Sequence, residues 1–216
     1  MSSSPKIIVV ANGNGGVGKT TTAMALSGIF SEKYKVLAVD ADIQGSFSWW
    51  AELGDKRMGF DVAQETDAGL LSRLRKIEGY ELAVVDTPPA LRSEALAAVI
   101  AIADYLVLPT PPAPMDLAVL IETVRKAIAP VGTTYRVLLT RVDSRRFRET
   151  LEAQNTLREL GIPAFRSFIR AYKAHERAAL EGIPISQWRG ENAHEAKADY
   201  CRVAEELQSD WGSDYG

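Results

Sequence analysis

The chain carries a single cysteine, Cys201, and only two histidines in 216 residues. One thiol cannot close an internal disulfide, nor supply the paired cysteines of a zinc or iron–sulfur site within one chain. A dominant charge is missing too: 25 Lys and Arg against 28 Asp and Glu leave a formal net charge of −3. Any nucleic-acid binding must therefore come from a local basic patch. No apolar run approaches the length of a membrane span, and Met1-Ser2-Ser3-Ser4-Pro5-Lys6 is too short and too polar for a secretory signal. These absences predict a cytoplasmic protein with no membrane partner. The rest is ordinary: 46% hydrophobic and 25% charged residues, in a length that suits one domain with a sizeable core.

Against that background one stretch is unusual. Gly13-Asn14-Gly15-Gly16-Val17-Gly18-Lys19-Thr20 fills every position of the phosphate-binding loop pattern G-x-x-x-x-G-K-[ST]. Its flanks are right as well: the apolar run Ile7-Ile8-Val9-Val10-Ala11 precedes it, and Thr21-Thr22-Ala23-Met24-Ala25-Leu26 follows with helical spacing. Glycines let the backbone curl so that several N–H groups point at one anion, and the helix N-terminus adds partial positive charge behind them. Residues 13–21 are thus the candidate nucleotide-binding set, with Lys19 reaching the β- and γ-phosphates and the Thr20 hydroxyl ligating Mg²⁺.

Strands and helices alternate along the remainder. Strands are predicted at Val36–Val39, Phe60–Val62 (an edge), Leu82–Asp86, Tyr105–Pro109, Tyr135–Leu139 and Pro163–Ile169, and helices at 20–31, 46–53, 69–76, 94–103, 115–129 and 145–160. Further helices are expected up to Glu181-Gly182 and over 195–208, ahead of a polar, acidic tail at 209–216. Pro109-Thr110-Pro111-Pro112-Ala113-Pro114 reads as a stiff loop. Of the adjacent Trp49 and Trp50, only one can face a core from a single helix, so one should pack beneath a neighbouring loop. The alternation implies one α/β domain spanning residues 1–216, with a mostly parallel twisted sheet and helices on both faces. Ligands in such sheets bind at the carboxyl ends of the strands.

Two acidic elements fall at that edge. Asp86 closes an apolar strand as a carboxylate holding the Mg²⁺ shell does. Asp40 and Asp42 follow the second strand, where a carboxylate can orient the water that attacks a γ-phosphate.

Residues 12–21, Val39-Asp40-Ala41-Asp42-Ile43-Gln44-Gly45-Ser46 and Val84-Val85-Asp86-Thr87-Pro88-Pro89 together resemble the ParA/MinD family of deviant Walker ATPases, a P-loop NTPase fold. The short chain, the Pro-rich stretch at 109–114 and the segment Phe165–Gly182 are similar to the small plasmid-partition ATPases without an N-terminal DNA-binding domain. The resemblance implies an ATP-dependent sandwich homodimer with Mg²⁺ and binding of non-specific nucleoid DNA by that dimer. It also implies slow hydrolysis stimulated by an adaptor protein of ParB or McdB type. By the same carry-over Lys19 binds phosphates, Thr20 and Asp86 serve the metal, Asp40 supports water activation and Asp42 is an interface or outer carboxylate.

One departure matters. The family's signature lysine, which reaches across the dimer, stands immediately before the paired glycines, and here that position is Asn14. An asparagine is uncharged and too short to span an interface. A similar lysine-less loop occurs in the McdA ATPases that distribute carboxysomes, where a remote lysine takes over. The resemblance therefore leans to carboxysome positioning, with plasmid or chromosome partition as the alternative. The first candidate for the replacement cation is Lys173, in the loop after the last predicted strand, followed by Arg145 and Arg146. Arg166, Arg170, Lys173, Arg177, Arg189 and Lys197 form the candidate basic face for DNA. A MinD-like membrane regulator would need a basic amphipathic end where residues 209–214 are acidic. A metallocluster enzyme would need cysteines where Thr87-Pro88-Pro89-Ala90 has none. A small-molecule ligase on the same loop would hydrolyse ATP in response to a metabolite.

Overall fold

The computed structural model describes residues 4–54, 58–90 and 93–213. Strands β1 (Lys6–Val10), β2 (Val36–Asp40), β3 (Asp61–Gln64), β4 (Leu82–Asp86), β5 (Tyr105–Thr110) and β6 (Tyr135–Leu139) form one six-stranded sheet in the order β3-β2-β4-β1-β5-β6. Every pairing is parallel. Both faces are covered, which is why runs such as Ile7-Ile8-Val9-Val10 are apolar at every position. Ile8 and Val10 pack into a layer made by α1 (Lys19–Phe30), α2 (Ser46–Leu53), α7 (Lys173–Leu180) and α8 (Ala193–Ser213). Ile7 and Val9 point the other way, into α3 (Ala68–Leu71), α4 (Glu94–Ile102), α5 (Pro114–Thr123) and α6 (Phe147–Glu159). Each such fully buried aliphatic side chain stabilises the fold by about 1.5–3 kcal/mol.

Several expectations are corrected. Residues 163–169 do not form a strand: beside β6 there are isolated bridges at Val137–Ala164 and, just beyond, Val142–Arg170, with the Ile169 N–H on the Leu139 carbonyl. The N–H groups of Arg166 and Ser167 donate instead to the carboxylate of Glu206 on α8, at 2.9 and 2.8 Å, which pulls the segment off β6 between the two bridges. Pro109 ends the strand as expected, but the proline stretch is shorter as a loop, since Thr110 also belongs to β5, an inner strand, and Pro114 opens α5. Pro109 is tolerated because its missing N–H would face β1 beyond the last residue that β1 pairs with β5, and its carbonyl accepts from Asn12 Nδ2 at 2.8 Å.

The expected helix at 69–76 is broken into α3 and a separate 3₁₀ turn at Leu74–Lys76, with the Ser72 hydroxyl donating to the Gly69 carbonyl at the break. The helix expected at 115–129 relaxes after α5 into a π turn at Val124–Ile128 and a 3₁₀ turn at Ala129–Val131. The C-terminal stretch is helical well past residue 208. Trp211 stacks on Phe30 with ring centroids 5.8 Å apart, so this part of the expected tail is packed, while residues 214–216 lie outside the described residues. Trp50 is buried and its Nε1 donates to the Ile183 carbonyl, but Trp49, expected beneath a neighbouring loop, is exposed, because adjacent side chains on a helix point in different directions and nothing among the described residues covers this one.

Candidate functional site

The carboxyl ends of β1, β2 and β4 are in register: Val10 lies beside Asp86, and Asp86 beside Asp40. The glycine loop leaves β1 at this edge. Gly16 at φ 70° and Gly18 at φ 95° are left-handed, which an L side chain would resist, and they turn the chain into α1. α1 starts with no side-chain cap and no acidic residue in its first turn, so its first N–H groups and its positive dipole end face the cleft uncompensated. That is the arrangement that binds an anion.

Lys19 is buried, and its Nζ donates to the Asn14 carbonyl at 2.7 Å, folding the side chain back along the loop. Burial pushes its pKa down, while Asp86 and Asp42 oppose that shift. The Thr20 hydroxyl donates to Asp86 Oδ2 at 2.7 Å, and the buried Oδ1 of Asp86 has no hydrogen-bond partner. Burial raises the Asp86 pKa to about 7, with the Thr20 hydrogen bond opposing and the neighbouring Asp40 reinforcing. No cluster of three or more His, Cys, Asp or Glu able to hold a metal occurs among the described residues. A hydroxyl, one carboxylate and the oxygens of a bound phosphate suit Mg²⁺, which keeps most of its shell as water and phosphate. The orphaned Oδ1 fits that shell.

The cleft over the loop measures about 660 Å³. The structure brings Gly15, Gly16, Gly18, Lys19, Thr20, Thr21, Asp42 and Lys173 to its wall. Gly13, Asn14 and Val17 belong to the loop but not to this wall, and Asp86 lies beneath Thr20. Asp40 is fully buried and both its oxygens are occupied, by the N–H groups of Asp42 (3.1 Å) and Ser48 (2.9 Å). Asp40 therefore shapes the loop from 41 to 48, and Asp42 is the carboxylate presented to the cleft. Asn14 Nδ2 donates to Asp116 Oδ1 at 2.7 Å in the first turn of α5, so this side chain tethers the loop sideways.

Among the candidate cations, Lys173 is the first residue of α7 and not part of a loop. Arg145 is held by Asp143 and Arg146 by Glu149, and neither lines the cleft. Of the expected basic face, Arg170 is engaged by the fully buried Asp199 and Lys197 pairs with Glu32, which leaves Arg166, Lys173, Arg177 and Arg189 as its exposed members. Sequence reasoning missed Thr140 and Arg141, which follow β6 at the same edge. The Thr140 hydroxyl donates to the Val17 carbonyl at 2.8 Å and Arg141 Nη1 to the Gly16 carbonyl at 2.9 Å. Their signal was positional: like the glycine loop and Asp86, they stand directly after a strand.

A parallel sheet with a glycine loop, a buried lysine and a hydroxyl–carboxylate pair at its carboxyl edge defines a P-loop nucleotide-binding protein. More particularly, the chain belongs to the CobQ/CobB/MinD/ParA nucleotide-binding domain family, whose model matches residues 8–185. It is 67% identical over 210 residues, 97% of each chain, to a protein of Gloeobacter kilaueensis named maintenance of carboxysome distribution protein A. A protein of the same name from Halothiobacillus neapolitanus is 28% identical over 83% of this chain and 86% of its own. The fold is that of the ATP complex of a Cyanothece McdA variant (TM-score 0.76, 20% identity, 95% and 97% of the two chains). It is also that of the Pyrococcus furiosus cell division ATPase MinD (TM-score 0.77, 21% identity, 94% and 98% of the two chains).

Proposed function

We propose that this protein is an ATPase that distributes carboxysomes. The observation that carries this reading is the 67% identity, over 97% of both chains, to a protein named for that task. The described residues contain no helix long and apolar enough to cross a membrane. In this reading the working form acts in the cytoplasm on nucleoid DNA. The whole chain acts as one ATPase domain. In this reading Lys19 and the loop N–H groups bind the triphosphate of ATP, and Thr20 with Asp86 holds Mg²⁺, which when bound neutralises developing charge on the phosphates. Asp42 orients the attacking water, and Asp40 keeps Asp42 in place, which exchanges the roles that the family resemblance first gave them.

ATP closes two copies face to face. Support for such a face comes from Ile43 and Met115, which are 78% and 80% exposed and stand next in sequence to Asp42, which lines the cleft, and to Asp116, which holds Asn14 of the loop. Exposed aliphatics at that position favour burial against a second copy. Lys173, at the cleft wall with no charge at residue 14 to assist it, reaches the partner's phosphates. The dimer holds DNA through Arg166, Arg177 and Arg189, while Lys173 is given over to the phosphates, and an adaptor protein of McdB type stimulates slow hydrolysis. Plasmid or chromosome partition remains a second reading only in that the same cycle could move another cargo.

The test is oligomeric state by light scattering, together with binding to a DNA of random sequence, each with and without ATP and Mg²⁺. A dimer and DNA binding that both require ATP are expected. A monomer under all conditions, or DNA binding indifferent to nucleotide, would overturn the reading.

A further inference from the structure

Arg141 is, with Asn192, one of two described non-glycine residues at positive φ, at 55°. An L-residue held in the left-handed region costs on the order of 1 kcal/mol and persists only where its surroundings impose it. At Arg141 the surroundings are the glycine loop. Thr140 approaches from β6, its hydroxyl on the Val17 carbonyl and its side chain 3.8 Å from where a Cβ on Gly18 would lie. The left-handed turn at the next residue sends the Arg141 side chain over the loop, where Nη1 takes the Gly16 carbonyl at 2.9 Å. Gly16 is itself left-handed, at φ 70°, and nothing stands within 4 Å of where its Cβ would be. Its carbonyl therefore has its direction fixed from outside the loop. A peptide unit whose carbonyl is pinned has its N–H pinned as well, because the unit is planar. The Gly16 carbonyl belongs to the same peptide unit as the N–H of Val17, the residue that joins the two left-handed glycines, Gly16 and Gly18.

We propose that Arg141 is a positioning residue for the phosphate loop: by holding the Gly16 carbonyl it sets the aim of the loop N–H groups, and its guanidinium adds at the cleft wall positive charge that Asn14 does not supply. The strained backbone is what brings the side chain there. This rests on the nucleotide-binding part of the reading above but not on dimerisation, DNA or cargo. Among the other cations at the cleft, Lys19 is turned onto Asn14 and Arg170 is engaged by Asp199. Arg141, exposed and with further N–H donors beyond Nη1, is the guanidinium in contact with the loop.

The test compares Arg141→Asn, Arg141→Lys and the unaltered protein in binding of AMP, ADP and a non-hydrolysable ATP analogue by calorimetry, with the thermal midpoint of each nucleotide-free protein. Asparagine tolerates the left-handed conformation, so Arg141→Asn removes the cation and leaves the backbone turn. The expected result is a loss of about tenfold for ADP and more for the ATP analogue, with AMP affinity and thermal midpoint nearly unchanged. Arg141→Lys, which keeps the charge but not the fork of donors, should recover part of the loss. Equal affinity of Arg141→Asn and the unaltered protein for all three nucleotides would overturn the inference. So would a loss that is the same for AMP as for ADP, because that signals a general distortion of the cleft. Failure of the unaltered protein to bind ADP or the ATP analogue would instead sink the broader functional reading.

Discussion

The Thr20 hydroxyl and Asp86 Oδ2 stand 2.7 Å apart at the ends of different elements, α1 and β4, and their hydrogen bond leaves Asp86 Oδ1 buried and bare. Such a carboxylate destabilises the empty protein wherever it is ionised. Its pKa is raised from 3.8 to about 7, so the penalty is full above pH 7, fades as pH falls through the interval between those values, and vanishes below 3.8. Asp86→Asn should therefore raise the thermal midpoint of nucleotide-free protein by about 3–6 °C at pH 8, with a smaller gain at pH 5. The same variant should lose the Mg²⁺ dependence of ADP affinity. A midpoint unchanged or lowered at pH 8 would show that the bare oxygen is not a cost.

The division of labour between Asp40 and Asp42 is separable by experiment. Asp42→Ala should bind ATP within about threefold of the unaltered protein yet lose on the order of 100-fold in turnover. Asp40→Ala strips acceptors from two backbone N–H groups and should cost about 2–4 kcal/mol of stability, read by urea denaturation.

Lys173→Ala should abolish the ATP-induced dimer in light scattering while ADP affinity of the monomer stays within about twofold, since no bond of this lysine to the loop is needed to fold the cleft. A normal dimer would move the search to another cation.

Gly54 and Gly182 bring two backbones into contact between the end of α2 and the turn after α7. A Cβ on Gly54 would fall 1.9 Å from the Gly182 carbonyl oxygen, a backbone atom that cannot swing aside. Gly54→Ala should cost about 2–3 kcal/mol and lower the thermal midpoint by about 5–10 °C, measured by calorimetry. Because Trp50 hangs from α2 and is bonded to the nearby Ile183 carbonyl, tryptophan fluorescence should shift with it.

Much of this was legible in the sequence wherever a local pattern settles the outcome. The glycine loop, the strand ending at Asp86 and the alternation that gives a parallel sheet are written in consecutive residues. Residues 163–169 were not legible, because Glu206, some forty positions away, takes the Ser167 N–H that a continued ladder would use. The exchange between Asp40 and Asp42 was hidden for a related reason. Both carboxylates sit at the expected edge, and only the folded loop reveals that one of them is already filled by amides. Arg141 could have been singled out by its place after β6, but its left-handed backbone has no sequence mark of the kind a glycine leaves.

α8 runs the full depth of the sheet, opposite in direction to the strands. Near one end Tyr200 bonds the Thr22 hydroxyl, one turn into the loop's helix, and Asp199 clasps Arg170 at the cleft wall. Eleven residues on, about 16 Å away, Trp211 rests on Phe30 and Asp210 ties down Tyr105 at the start of β5. The helix is thus a strut with its two feet on opposite rims of the molecule. A tether, bulky label or trimmed turn placed at the Trp211 foot would be felt at the other as altered grip on ATP, so fusions for imaging are better attached elsewhere.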